Sequence, residues 1–221
     1  MTMNRRQFHH TLLAALVAGA APAVLAAASD LQQGRDWTPI DPARPGDVPG
    51  KIEVLEFFSY GCPHCREFHP LVSAWAGRLP KDVNLRRVPV SFDRAAWANL
   101  VRLYYALEVD GHLARLDLAV FDAIHTKKIN LFTEKAIFDW VATQGIDANQ
   151  FRATFASFGV QSQLSRSDGL TRAYKVEAVP LLTVAGRYAV VGRAMKGYPD
   201  LLTIADSLID KARGQGAGKP G

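Results

Sequence analysis

The 221-residue sequence predicts an α/β fold in which a small sheet is interrupted by a long helical insertion. Three observations predict it. A compact strand-forming run, Ile52 to Phe58, leads through a short loop into a proline-bearing helix. From Arg94 to about Lys175 the apolar residues recur at helical spacing. After Pro180, two strand-like runs flank a glycine turn, and a helix follows them.

Residues 1–28 read as an export signal. Arg5 and Arg6 form a positive start, Leu12 to Ala21 an uncharged apolar core, and Ala26-Ala27-Ala28 a small-residue cleavage site. The core is short of the ~20 apolar residues of a membrane span, and an uncleaved anchor is the alternative. Arg5-Arg6-Gln7-Phe8 resembles a twin-arginine motif, and the general secretory route fits equally. No later segment is long and apolar enough to span a bilayer. Export into an oxidising compartment, the periplasm, is the expected localisation.

Ser29 to Lys51 is rich in Pro, Gly and Asp and reads as irregular, with a short strand within Arg35 to Ile40. Ile52 to Phe58 reads as a buried central strand. Ser59-Tyr60-Gly61 is a loop, and a helix starts at about Cys62. Pro63 suits the first helical turn, where its missing N–H costs nothing. Pro70 is expected to kink that helix. Val83 to Val90 forms a second strand. In the helical block, Leu100, Leu103, Tyr104 and Leu107 share one face, as do Leu116, Val120 and Ile124. Thr133 can cap Glu134 to Thr143, and Asp147 the helix carrying Phe151 and Phe155. Leu181 to Val184 and Tyr188 to Val191 flank Ala185-Gly186-Arg187, a hairpin signature. Pro199 to Arg213 is the last helix, and Gly214 to Gly221 a flexible tail. There is no internal repeat.

Without the helical block, β-α-β plus β-β-α remains. That is thioredoxin-like topology, with a discontinuous domain at 29–93 and 176–213 and a helical insertion at 94–175. The insertion of roughly 80 residues far exceeds an ordinary connection of about 4–6.

Composition supports a packed globular protein: 48% of residues are hydrophobic and 21% charged. Setting aside Arg5 and Arg6 leaves 24 basic against 21 acidic residues, a net charge of +3. No Lys/Arg run exceeds two residues, so nucleic acid is not an expected partner.

The two cysteines stand three apart, in Cys62-Pro63-His64-Cys65. A c-type haem site would need His after the second cysteine, where Arg66 stands. A zinc site wants four ligands, and Cys62, Cys65 and His69 supply three. A purely structural disulfide would close a loop too small to restrain the unfolded chain much. Redox catalysis fits best. At a helix start, Cys62 meets unpaired backbone N–H groups and the positive end of the dipole, which favour its thiolate. His64 can add a positive charge. Cys65, one turn further in, is expected to be less exposed. Access then assigns roles: Cys62 forms the mixed disulfide with substrate, and Cys65 is the resolving sulfur. A stabilised thiolate favours the reduced enzyme, so its disulfide is readily given away.

Val54 to Cys65, with Pro-His between the cysteines, resembles the active-site strand and helix of the DsbA family of periplasmic dithiol oxidases. The similarity extends to the strand bearing Trp37, the helical insertion, and Val179-Pro180 with its following hairpin and helix. The resemblance implies a depressed thiol pKa and an oxidising potential. It makes Val179-Pro180 a cis peptide lying against the cysteines, with the Val179 backbone available to an extended substrate. It places an acidic residue at Glu56, able to relay protons to or from Cys65; a carboxylate paired with a lysine at the core edge is the alternative. The family often has an acidic residue at His69, which as a departure reads as a solvated helix position. His112 and His125 read as surface or helix-end residues. Tyr60 flanks the site and is expected on an apolar substrate-binding surface; Phe58 reads as core.

The expected function is disulfide donation to newly exported proteins through the Cys62-Cys65 pair, with no metal or organic cofactor. Catalysis is expected from Cys62, Cys65, His64, Pro63 and Glu56, with substrate contacts from Val179, Pro180 and Tyr60. The implied partners are unfolded or reduced exported polypeptides and a DsbB-type membrane oxidase; a monomer is expected. The alternatives are a reductase or isomerase of the same fold, or a non-enzymatic peptide- or metal-binding module.

Overall fold

Seven consecutive residues, Ile52–Phe58, form the central strand β2, and all seven are buried. A strand covered on both faces reads as an unbroken apolar run, which is why the sequence shows no alternation here. In the computed structural model, residues 31–216 are described. The export signal at 1–28 and the tail residues 217–221 lie outside the described residues.

Around β2 the sheet contains β1 (Trp37–Pro39), β3 (Val83–Pro89), β4 (Leu181–Val184) and β5 (Tyr188–Val190), in the order β1-β5-β4-β2-β3. β3 runs parallel to β2, and β4 antiparallel on its other side. A parallel neighbour needs a crossover, which helix α1 (Pro63–Ala76) provides. Pro70 lies inside α1, and the helix continues past it to Ala76.

Alternation along β2 separates its faces. Ile52 and Val54 pack with Phe68, Val72 and Trp75 of α1 and with the last helix, α7 (Tyr198–Gly214), through residues that include Ala205 and Leu208. Leu55 and Phe57 pack on the other face with Val88, Tyr174 and Val176. Glu56 has the parity of Val54 and Phe58, so it points to the side that carries α1 and the cysteines.

The helical block is α2 (Ala95–Val109), α3 (Leu113–His125), α4 (Glu134–Thr143), α5 (Ala148–Phe155) and α6 (Phe158–Ala173). The expected caps form: Thr133 accepts from the Ala136 N–H, and Asp147 from those of Asn149 and Gln150. Ser157 accepts from Val160 and starts α6, a break that the periodicity did not reveal. Leu100, Leu103, Leu107, Leu116, Val120 and Phe121 form a core of their own, which reaches Phe58, Tyr60 and both cysteines.

The β4–β5 hairpin turns through Ala185 (φ 54°) and Gly186 (φ 60°). Glycine is required at 186, because a Cβ there would lie 2.0 Å from the Arg44 carbonyl oxygen. The tail starts later than expected, since Gly214 still belongs to α7.

Candidate active site

Cys62 is the N-cap residue of α1, with extended backbone (φ −96°, ψ 119°). Its sulfur occupies the position where Asp or Ser usually caps a helix, though the neutral thiol makes no capping hydrogen bond there. Pro63 is the first helical residue and is exposed, as is His64. Cys65 lies one turn in, with no exposure, against 8% for Cys62. Both cysteines are free thiols.

The two sulfurs are driven apart in acidity. The hydrogen bond from the Cys65 thiol does most to lower the Cys62 pKa, which falls to about 6 against the opposing effect of burial. The backbone N–H groups of Cys65 and His64 lower it further, and the charge of His64 contributes least of the named groups. The direction is the one expected from the sequence. The causes rank differently, because the Cys65 thiol was not anticipated as a donor. For Cys65 the three largest effects act upward: burial, then the hydrogen bond to Cys62, then the charge of Cys62; a backbone hydrogen bond with Ser59 opposes them, and the charge of Glu56 adds a smaller rise.

Val179-Pro180 is cis and lies against this pair, with the Cys62 Sγ 3.4 Å from the Val179 carbonyl oxygen. Asp41-Pro42 is also cis, away from the cysteines in sequence and not foreseen.

Glu56 is fully buried, and its partner is Arg87 rather than a lysine. The two face each other in the β2–β3 register, and Arg87 Nε donates to Glu56 Oε2 at 2.6 Å. Burial raises the Glu56 pKa, Arg87 opposes the rise, and Asp117 adds to it. The same guanidinium donates to Asp117 of α3 and lies 4.0 Å over the Phe58 ring. Burial works against the Arg87 charge, yet Glu56 and Asp117 hold its pKa above the usual value.

Tyr60 is a correction. It is 1% exposed, so its side chain forms no part of a substrate-facing surface. The ring packs edge-on to Phe58 and Phe121, and the hydroxyl donates to Asp117 at 2.6 Å. A buried tyrosine hydroxyl needs such a partner, and Asp117 lies 57 residues away. His69 is a second correction: it is 7% exposed, its ring tilted 35° to that of Phe121 at 5.2 Å, with Nε2 3.6 Å from Asp117 Oδ2.

Sequence reasoning missed how firmly the insertion holds the active-site loop. His125, at the C-terminal end of α3, pairs through Nε2 with the Tyr60 carbonyl at 2.7 Å. Arg66, beside Cys65, donates to Asp122 at 3.0 Å and to Thr126 at 2.8 Å. Tyr198, at the start of α7, packs its ring near His64 and Phe68. Only Arg66 carried a local signal, its place next to the cysteine. Among the described residues, no cluster of three metal-ligating side chains forms, and no helix is long and apolar enough to cross a membrane.

Residues 53–205 match the DSBA-like thioredoxin domain family. Among similar proteins, the thiol:disulfide interchange protein DsbA of Bordetella parapertussis is 42% identical over 207 residues, covering 92% of this chain and 97% of that protein. The Azotobacter vinelandii protein of the same name is 38% identical over 185 residues, 84% of this chain and 86% of its own. The crystal structure of Pseudomonas aeruginosa DsbA superposes with a TM-score of 0.79 at 35% identity, over 85% of this chain and 97% of that one. Strand, cap, buried second cysteine and facing cis-proline thus stand in a chain that is alike over nearly its whole length, and the chain belongs to the DSBA-like thioredoxin domain family.

Proposed function

We propose that this protein is a thiol:disulfide oxidoreductase that donates the Cys62-Cys65 disulfide to newly exported proteins. One observation carries the direction: Cys62 is half-way to a stable thiolate at about pH 6, while Cys65 beside it is buried and held protonated. A thiol of low pKa is a good leaving group and a poor holder of a mixed disulfide.

The cycle follows from that asymmetry. A substrate thiolate attacks Cys62 Sγ in the oxidised pair, the S–S bond breaks, and its electrons go to Cys65 Sγ, which takes a proton. A second substrate thiolate attacks the substrate sulfur of the mixed disulfide. Cys62 leaves as a thiolate held by the helix N–H groups, and the substrate departs with a disulfide. Two substrate thiols are oxidised and two enzyme cysteines reduced. Pro63 presets the first turn that presents those N–H groups, and His64 adds charge beside Cys62.

The remaining roles rest on proximity. The Val179 backbone stands beside Cys62 and pairs with an extended substrate segment, with Pro180 setting its orientation. Glu56 exchanges a proton with Cys65, since a raised carboxyl pKa suits it to give and take one. The cycle needs no metal or organic cofactor. A DsbB-type membrane oxidase returns the reduced pair to the disulfide, and the site of action is the periplasm after removal of the signal.

The test is oxidation of a reduced two-cysteine peptide by wild type beside Cys62→Ser. Wild type alone is expected to transfer the disulfide, and equal behaviour of the two proteins refutes the assignment. The equilibrium constant with glutathione separates donor from reductase: a value as reducing as that of thioredoxin refutes donation.

A further inference from the structure

The proton that Cys65 takes has to reach a sulfur with no solvent exposure, and so does the one that resupplies Glu56, which is equally buried. A groove of about 630 Å³ is lined by His69, Ser73, Arg87, Tyr104, Asp117 and Leu118. It opens between α1, β3, α2 and α3. His69, four residues after Cys65 on α1, forms part of its wall.

The groups from the groove inward to Glu56, whose charge is felt at Cys65, form a connected array. His69 Nε2 faces Asp117 Oδ2 at 3.6 Å. Asp117 accepts from Arg87, and Arg87 donates to Glu56 at 2.6 Å. Two carboxylates share one guanidinium, so the array carries one excess negative charge unless it binds a proton. A buried excess charge is costly and is relieved by protonation. The other ionisable groups at the groove are Glu108 and Tyr104, whose burial favours their neutral forms, and Tyr60, which donates to Asp117. Neither they nor Phe121 supplies a second cation. His69 is the one imidazole of the array; burial lowers its pKa against the opposing pull of Asp117, so it rests neutral and can accept a proton on one ring nitrogen while giving one from the other. An independent feature agrees. Glu56 Oε1, Arg87 Nη2 and His69 Nδ1 are buried and make no hydrogen bond within the protein, which leaves three polar atoms of one array open to a hydrogen-bonded path.

We propose that His69 is the groove-side end of the proton path to Cys65, a relay residue that acts through Glu56. When the disulfide opens, Cys65 takes the Glu56 proton, the array is left with its excess negative charge, and His69 passes in a proton from the groove. When Cys65 is oxidised again, the proton returns the same way. The inference rests on the Glu56 role proposed above.

Pre-oxidised Glu56→Gln, His69→Gln and His69→Ala are mixed with reduced peptide near neutral pH in weak buffer, with and without imidazole. Thiolate absorbance of the reduced proteins reports Cys62. His69→Ala and His69→Gln are expected to slow transfer by about tenfold. Added imidazole is expected to restore His69→Ala to within about twofold of wild type, not to restore Glu56→Gln, and to leave the Cys62 titration unmoved. Slow Glu56→Gln beside fast His69 variants overturns the His69 path and leaves the Glu56 role standing. Slow His69→Ala without rescue shows a structural role and also overturns it. Wild-type rates in all three variants remove the Glu56 role and the path together.

Discussion

The thiolate at Cys62 should write itself into the stability of the protein as a function of pH. The perturbation is the pH, applied to the reduced and the oxidised protein in parallel. In the oxidised form Cys62 has no proton to lose. In the reduced form its pKa is lowered to about 6, against about 8.5 for a thiol in the unfolded chain. A depressed pKa contributes stability that is fully present above the unfolded value and is lost as the pH falls through 6. Linkage then gives the reduced form almost nothing at about pH 5, about 1 kcal/mol at pH 7, and about 2 to 3 kcal/mol at pH 8. Cys65 works in the opposite sense. Its raised pKa keeps it neutral when folded, so it subtracts stability once the unfolded thiol ionises, above about pH 8.5. The gap between reduced and oxidised protein should therefore climb from about pH 5 to a maximum near 8.5 and then fall as the pH rises further. Denaturant unfolding of both forms at several pH values measures it, and absorbance of the thiolate gives the midpoint directly. A gap that is flat between about pH 5 and 8, or a midpoint within half a unit of 8.5, refutes the reasoning.

Three further outcomes follow from the packing. Cys65→Ser should accumulate mixed disulfides between Cys62 and substrate, visible on non-reducing gels; free turnover would remove Cys65 as the resolving sulfur. Arg87→Met leaves Glu56 and Asp117 without their shared cation and should cost about 3–5 kcal/mol in denaturant unfolding; a loss below about 1 kcal/mol would mean that the carboxylates are already neutral. Gly186→Ala pushes a methyl group towards the Arg44 carbonyl at a positive φ and should cost at least about 2 kcal/mol, whereas an unchanged midpoint would mean that the turn relaxes freely.

Much of the fold was legible because its signals are local. Ile52–Phe58 reads as a buried strand from its own composition, and Thr133 and Asp147 announce the helices that start at the next residue. Cys62 and Cys65 declare a helix-terminal dithiol by spacing, and Pro63 by its tolerance of a first turn. Capping, periodicity and turn chemistry act over fewer than about ten residues, so one sequence carries them entire. The division between α5 and α6 was harder, because Ser157 offers a cap inside a continuous helical pattern.

What the tertiary structure alone decided lies in contacts between distant residues. Glu56 meets Arg87 because the parallel register of β2 and β3 sets them side by side. Tyr60 is buried because Asp117 offers its hydroxyl a partner from α3, and His69 is buried against that same carboxylate. Val179 reaches Cys62 across 117 positions of chain. The sequence by itself determined which residues would carry the sulfur chemistry and which way the Cys62 pKa would move. It did not determine which charges surround the buried sulfur, since those come from strand register and from α3 docking on α1, and neither leaves a mark in the spacing of neighbouring residues.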